Sequence, residues 1–211
     1  MIGIVDYGMG NLFSVSKALE RLEVPSVISD KPEELEKAAG LLLPGVGSFK
    51  DAMTLLDRLE LAGFLKEWAA AGKPLLGICL GMQLLFEESE ENGPAKGLSL
   101  LPGKVVRFAG ETEAGVSYKV PHMGWNKLQF KNESPLLKGL KEDYVYFVHS
   151  YYVNTDSQDV VTASADYYGD VPAVVGRGSV FGMQFHPEKS SGLGMALLKN
   201  FTDLTEGKSV K

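Results

Sequence analysis

Ile2-Gly3-Ile4-Val5 is a short β-rich run, and after the turn-like Asp6-Tyr7-Gly8-Met9-Gly10 the apolar positions Leu12, Val15, Leu19 and Leu22 recur at helical spacing. Asn11 stands where a helix N-cap belongs. Val24 to Ile28 predicts a second strand, Pro32 to Ala39 a short helix closed by Gly40, and Leu41-Leu42-Leu43 a buried strand running into the glycine loop Pro44-Gly45-Val46-Gly47-Ser48. Ser48 can cap a helix that carries Phe49, Met53, Leu56 and Leu59 on one face, and a further helical segment reaches Ala71 before Gly72 stops it. Leu75 to Ile78 predicts the next strand and Leu80 to Glu87 the next helix. Short apolar runs alternating with amphipathic helices are the mark of βαβ units around a parallel sheet covered on both faces.

Beyond Leu100 the pattern changes. Lys104–Phe108, Lys127–Phe130, Tyr144–Val153, Val160–Ala165 and Ala173–Phe185 are close-set β-rich runs, with turns such as Gly176-Arg177-Gly178-Ser179 that suggest hairpins. Gly192 to Leu204 returns to a helix. The fold expected is α/β: an open, mostly parallel sheet flanked by helices in three flavodoxin-like layers. The strand-rich half extends that sheet antiparallel or packs on its edge, and residues 1–211 form a single domain.

Composition narrows the class. With 211 residues and 45% hydrophobic side chains, the chain can bury one sizeable core. One cysteine forms no internal disulfide, and the start lacks a basic segment followed by a signal-length apolar stretch, so the expected compartment is the cytoplasm. No uninterrupted apolar run approaches the ~20 residues of a membrane-spanning helix. A net charge of −6 with scattered basic residues excludes a nucleic-acid groove, though a local pocket could hold one phosphate. The acidic run Glu87 to Asn92 reads as the solvated end of a helix or as a partner surface.

Candidate chemistry begins at Cys79. Gly77 and Gly81 flank it in Gly-Ile-Cys-Leu-Gly, at the point where a predicted strand gives way to a helix. A nucleophile elbow needs that pattern, because side chains two positions either side would collide in the sharp turn. A helix N-terminus also favours thiolate over thiol. The competing reading is a buried cysteine that only packs. A thiolate needs a proton carrier, and the chain has three histidines: His122, His149 and His186. His186 follows a predicted strand, and Glu188, two residues on, falls on the same side of an extended chain, suited to orient the imidazole. For a developing oxyanion, donors are available in the backbone of Val46 and Gly47 and in Leu80 N–H, although Pro44–Ser48 could equally be an ordinary loop. His149 reads as a polar core residue or a pocket residue. One cysteine and distant histidines make a poor zinc set, and Gly8-Met9-Gly10 lacks a dinucleotide or Walker fingerprint, so neither metal nor cofactor is expected.

The motifs "GICLGMQ" and "FHPEK" resemble the class I, triad-type glutamine amidotransferases. "IVDYGMGNLFSV", "LLLPGVGSFKDAM" and "VPHMGWN" narrow the resemblance to the glutaminase subunits of imidazole glycerol phosphate synthases, along nearly the whole chain. The resemblance implies Cys79 as nucleophile, His186 as acid/base and Glu188 as its orienter. It implies that Gly45, Gln83, Ser150 and Tyr151 hold L-glutamine, and that Gly45 to Gly47 form an oxyanion strand set correctly only when the partner binds its ligand. The implied partner is a separate (β/α)₈ cyclase that receives ammonia in histidine biosynthesis, with Asn11, Met123, Trp125 and Lys189 as interface candidates. Lys189 is implied to close toward the N-terminal loop, which here contains no proline. For Trp125 a core position is the alternative. Rival readings are the glutaminase of a pyridoxal phosphate or anthranilate synthase, a DJ-1/PfpI-like cysteine hydrolase, and a binding module with a packing cysteine.

Overall fold

The computed structural model describes residues 1–207. Its N-terminal part alternates strand and helix: β1 (Ile2–Val5), α1 (Leu12–Arg21), β2 (Ser26–Ser29), α2 (Pro32–Leu35), β3 (Gly40–Gly45), α3 (Phe49–Arg58), α4 (Leu61–Ala70), β4 (Leu75–Cys79) and α5 (Leu80–Leu84). Short strands follow: β5 (Glu88–Ser89), β6 (Ala95–Lys96), β7 (Lys104–Arg107), β8 (His122–Phe130), β9 (Tyr144–His149) and β10 (Tyr151–Asn154). The chain continues through β11 (Val161–Asp166), β12 (Asp170–Arg177) and β13 (Val180–Met183) into α6 (Ser191–Thr205).

Nine strands form one sheet in the order β2-β1-β3-β4-β13-β12-β11-β8-β9. The neighbours from β2 to β13 pair in parallel, and those from β13 to β9 pair antiparallel. The other four strands make a small sheet, β10-β7-β5-β6. Every residue of β1, β3, β4 and β13 is buried, as expected where helices cover both faces. Alternation along β3 sends Leu41 and Leu43 into one core with Phe49, Leu56, Leu65 and Trp68, and Leu42 into the other with Val15, Leu19 and Phe201. α3 and α4 therefore cover one face, α1 and α6 the other. Asn11 and Ser48 cap as predicted, each side chain accepting from a backbone N–H three residues on at 3.3 Å.

Four expectations are corrected. The helix from Pro32 is a single turn ending at Leu35, because Ala39 N–H donates to Met1 C=O and draws the chain to the sheet. α5 stops at Leu84 rather than Glu87, since the carbonyls of Leu84, Leu85 and Phe86 accept from the N–H groups of residues 98–101. The acidic run is no solvated helix end. It carries β5, and its carboxylates accept backbone N–H groups: Glu87 from Gly103 at 2.8 Å, Glu90 from Arg107 at 2.8 Å and Glu91 from Phe49 at 2.7 Å. Tyr144–Val153 is two strands in two sheets, with Ser150 at the crossing. Its inward positions stay in phase through the crossing, at Val145, Phe147, His149 and Val153, so alternation carries no sign of it.

The strand order reverses beside β1, and an open α/β sheet places its crevice outside the carboxyl ends of strands at such a point. Tyr7 follows β1, Gly45 ends β3, Cys79 ends β4 and His186 follows β13.

Candidate active site

Cys79 closes β4 with φ 55° and ψ −114° before α5 begins at the next residue. Such a conformation costs an L-residue about 1–3 kcal/mol and persists only where its surroundings enforce it. They do so through the two glycines. A Cβ on Gly77 would lie 2.4 Å from Gly81 C=O oxygen, and one on Gly81 only 1.7 Å from Leu43 C=O oxygen. Both obstacles are backbone and cannot swing aside. Gly81→Ala is therefore expected to cost about 3 kcal/mol or more, read as a lowered thermal midpoint; an unchanged midpoint would refute the steric account.

Cys79 opens onto a cleft of ≈360 Å³ that also meets Val46, Gly47, Leu80, Gln83, Ser150, Tyr151 and His186. The sheet thus gathers most of the sequence-predicted site at one place. A larger hollow of ≈820 Å³ beside Lys131 and Lys138 contains none of these residues.

His186 Nδ1 lies 3.0 Å from Glu188 Oε1. The pairing is as expected, but its geometry is not that of an extended chain. Pro187–Lys189 forms a 3-10 turn, closed by Lys189 N–H on His186 C=O at 3.0 Å, and the turn swings the carboxylate back under the ring. Ser190 Oγ locks it by donating to the same carbonyl at 2.6 Å. With Nδ1 engaged by Glu188, Nε2 is the ring nitrogen left free for Cys79, which lines the same cleft. Burial by itself would lower the His186 pKa. The hydrogen bonds and charges of Cys79 and Glu188 outweigh it and raise the value to about 9. His186 is therefore protonated near neutral pH, with the carboxylate as acceptor for its Nδ1–H.

Two buried oxygens nearby have no hydrogen-bond partner among the described residues, Glu188 Oε2 and the Tyr7 hydroxyl. Burial first, and the charge of Cys79 second, push the Tyr7 phenol well above its ordinary range.

Val46, 43% exposed, and Gly47, at φ +96°, border the cleft opposite Leu80. Gly45 stands behind them, paired with Cys79 across β3 and β4. A Cβ there would meet the Tyr7 hydroxyl at 2.6 Å and Gly81 N at 2.9 Å, so close approach explains that glycine. Gln83 is buried and donates Nε2 to Tyr151 C=O at 2.9 Å and to Gln184 Oε1 at 3.0 Å. Its own oxygen remains as an acceptor.

His149 fits both of its readings, being buried and also lining the cleft. Its Nδ1 lies 2.8 Å from Tyr151 C=O and its Nε2 2.9 Å from His122 Nδ1. A carbonyl only accepts, so His149 carries its proton on Nδ1, its Nε2 accepts, and His122 carries its proton on Nδ1. Both rings are neutral. Burial holds His149 down to about 3, with the Tyr151 hydrogen bond opposing and the other two histidines adding to the depression. Burial likewise holds His122 at about 4 against the opposing influence of Asn126.

Among the interface candidates, Met123 and Trp125 are 60% and 49% exposed on β8, which removes the core reading of Trp125. Met123 pairs across β8 and β9 with Val148, a cleft residue. Lys189 is exposed in the turn that follows His186, and Asn11 caps α1. Sequence reasoning missed Gln184, Glu91 and the His122–His149 pair. Gln184 and Glu91 act through partners far along the chain, which no local motif announces. Among the described residues no group of three or more His, Cys, Asp or Glu could hold a metal ion, and no helix is long and apolar enough to cross a membrane.

A cysteine on a strained elbow with a paired imidazole and carboxylate has the parts for acyl transfer to water. The family pattern described as glutamine amidotransferase class-I matches residues 3–204, and the chain belongs to that family. Within it, the chain is 64% identical over 208 residues to imidazole glycerol phosphate synthase subunit HisH of Geobacillus kaustophilus (strain HTA426), across 99% of each protein. It is 59% identical over 211 residues to the HisH subunit of Bacillus subtilis (strain 168), across 100% of each. The fold alone is shared more widely. A crystal structure of a glutamine amidotransferase matches with TM-score 0.76 at 22% identity, over 97% of this chain and 98% of the other. PurLQS from Thermotoga maritima matches with TM-score 0.73 at 19% identity, over 96% and 97%.

Proposed function

We propose that residues 1–211 form one domain acting as the glutaminase subunit of an imidazole glycerol phosphate synthase. The observation that carries the reading is the Cys79–His186–Glu188 constellation at the carboxyl edge of the sheet, on the floor of a cleft. Cys79 Sγ attacks the side-chain amide carbon of L-glutamine, and charge builds on the carbonyl oxygen beside the N–H groups of Val46, Gly47 and Leu80. As the C–N bond breaks, His186 gives its proton to the departing nitrogen, which leaves as ammonia. His186 then takes a proton from water, the hydroxide equivalent attacks the thioester carbon, and glutamate departs as the sulfur is freed. Glu188 keeps the ring oriented throughout. The remaining oxygen of Gln83 is an acceptor suited to the α-ammonium group of glutamine, and Ser150 and Tyr151 complete that end of the pocket. The chemistry requires nucleophilic attack and proton transfer only, with no cofactor.

Ammonia released into water at neutral pH would be protonated and lost as a nucleophile. The subunit accordingly passes it to a (β/α)₈ cyclase, which uses it to form imidazole glycerol phosphate and aminoimidazole carboxamide ribotide, in the cytoplasm. Asn11, Met123, Trp125 and Lys189 belong to the docking side. Glutamate release by the chain alone, with the cyclase, and with the cyclase plus its nucleotide ligand tests this. Activity is expected to be low alone and to rise at least about tenfold in the full mixture, the scale of ordinary site-to-site coupling; no rise refutes the assignment.

A further inference from the structure

Behind Cys79 lies a buried chain of amides whose orientations are determined one by one. Tyr151 C=O sits at its centre. A carbonyl can only accept, so the Gln83 group 2.9 Å away from it must be the amide nitrogen. That same nitrogen is 3.0 Å from Gln184, so Gln184 must present its oxygen there. The Gln184 nitrogen is thereby turned the other way, to a position 4.0 Å from Cys79 Sγ. Gln184 is fully buried, where a side-chain amide without partners would be costly, and the sulfur is the acceptor its nitrogen meets. His149 fixes the central carbonyl from the other side at 2.8 Å and is itself held by His122.

We infer that Gln184 is a further catalytic residue, donating an amide N–H to the Cys79 sulfur, and that Gln83 positions it by occupying its oxygen. The inference rests on the reading of Cys79 as the nucleophile. The sulfur then meets the Gln184 amide and shares the cleft with the His186 imidazole. Gln184 is a neutral donor, so it holds the sulfur without supplying a proton that could transfer to it. When Cys79 bonds to the substrate carbon its negative charge is discharged, and when the thioester is cleaved it returns. A donor at fixed distance favours the charged ends of that cycle and helps the sulfur leave. Gln83 then has two duties, its nitrogen clamping Gln184 and its oxygen facing the substrate.

Alkylation of Cys79 by iodoacetamide tests this without glutamine, partner or turnover: an S–C bond forms and iodide leaves. Gln184→Glu keeps an oxygen for Gln83 but loses the donor and adds charge; Gln184→Met loses donor and acceptor without adding charge; Gln83→Leu leaves Gln184 in place but releases its oxygen. Hydrogen bonds to charged groups set the scale, so in both Gln184 variants the rise of alkylation rate with pH should move up by on the order of one pH unit relative to wild type, and in Gln83→Leu by less. In complex with the cyclase, Gln184→Glu should lower kcat with KM for glutamine little changed, whereas Gln83→Leu should also raise KM. A rate-against-pH profile unchanged from wild type in those variants that fold, judged by their melting transitions, would overturn the inference. So would a shift confined to Gln184→Glu, since charge repulsion alone would then account for it. Failure of the wild-type glutaminase assay would strike at the proposed function and leave the alkylation result standing.

Discussion

Cys79→Ala should abolish glutamine-dependent turnover by the complex with its cyclase and leave ammonia-dependent cyclisation intact. In the proposed mechanism the sulfur forms and releases the γ-glutamyl bond, while imidazole and carboxylate serve it. Loss of a nucleophile whose base and donors remain typically removes catalysis by about 10⁴-fold or more, because what is left supplies only binding and oxyanion stabilisation. Alanine is also the conservative choice for the fold. Cys79 holds φ 55° under the constraint of Gly77 and Gly81, and alanine demands no more of that conformation than cysteine does. Externally supplied ammonia bypasses the thioester, so cyclisation at saturating ammonia should match wild type. Loss of both activities would mean that the substitution damages assembly; survival of both would mean that Cys79 is not the nucleophile. The experiment therefore separates chemistry from docking in one pair of assays.

What the sequence made legible follows from how local each constraint is. The elbow could be read because the collisions of Gly77 and Gly81 arise within a few residues of Cys79 and across one strand pair, leaving a signature of two glycines around one cysteine. The His186–Glu188 pair could be read from spacing, though the 3-10 turn that brings the carboxylate back is a consequence of Pro187 and of the Ser190 hydroxyl rather than of strand alternation. The parallel half of the sheet showed itself as continuous apolar runs, since both faces of those strands are buried. The length of α5 was not legible, because its end is set by carbonyls captured from residues 98–101. The same holds for the acidic run, whose carboxylates find backbone N–H groups on α3 and near β7 that periodicity cannot foresee. Gln184 stood next to Phe185 and His186 in plain view. Its role appears only through Gln83, a hundred residues earlier in the chain. Recognition of the family could name Gln83 as a substrate contact, but the clamp on Gln184 required the fold.

The second large effect concerns acid. His122 and His149 are held neutral, at about 4 and about 3, whereas in the unfolded chain both titrate near 6.5. Below that value the unfolded chain binds two protons that the folded protein refuses, so stability falls with falling pH from about 6.5 until the folded values are reached. Between about pH 7 and pH 5 the pair should remove on the order of 3–4 kcal/mol, a large share of the 5–15 kcal/mol typical of a folded chain. His186 has the opposite sign. Raised to about 9, it contributes stability that is fully present below about 6.5 and is lost as pH rises through about 9. Stability should therefore peak near neutrality and fall on both sides for different reasons, the buried pair on the acid side and the His186 imidazole on the alkaline side. His122→Gln isolates the acid limb, because the glutamine amide can donate to His149 Nε2 without titrating. Urea unfolding of wild type and variant at about pH 7 and about pH 5 should show roughly half the wild-type acid loss in the variant. An identical loss in both would place the acid sensitivity elsewhere and leave the pair a packing element between Phe147 and Tyr167, on which His122 stacks at 4.5 Å and 3.9 Å.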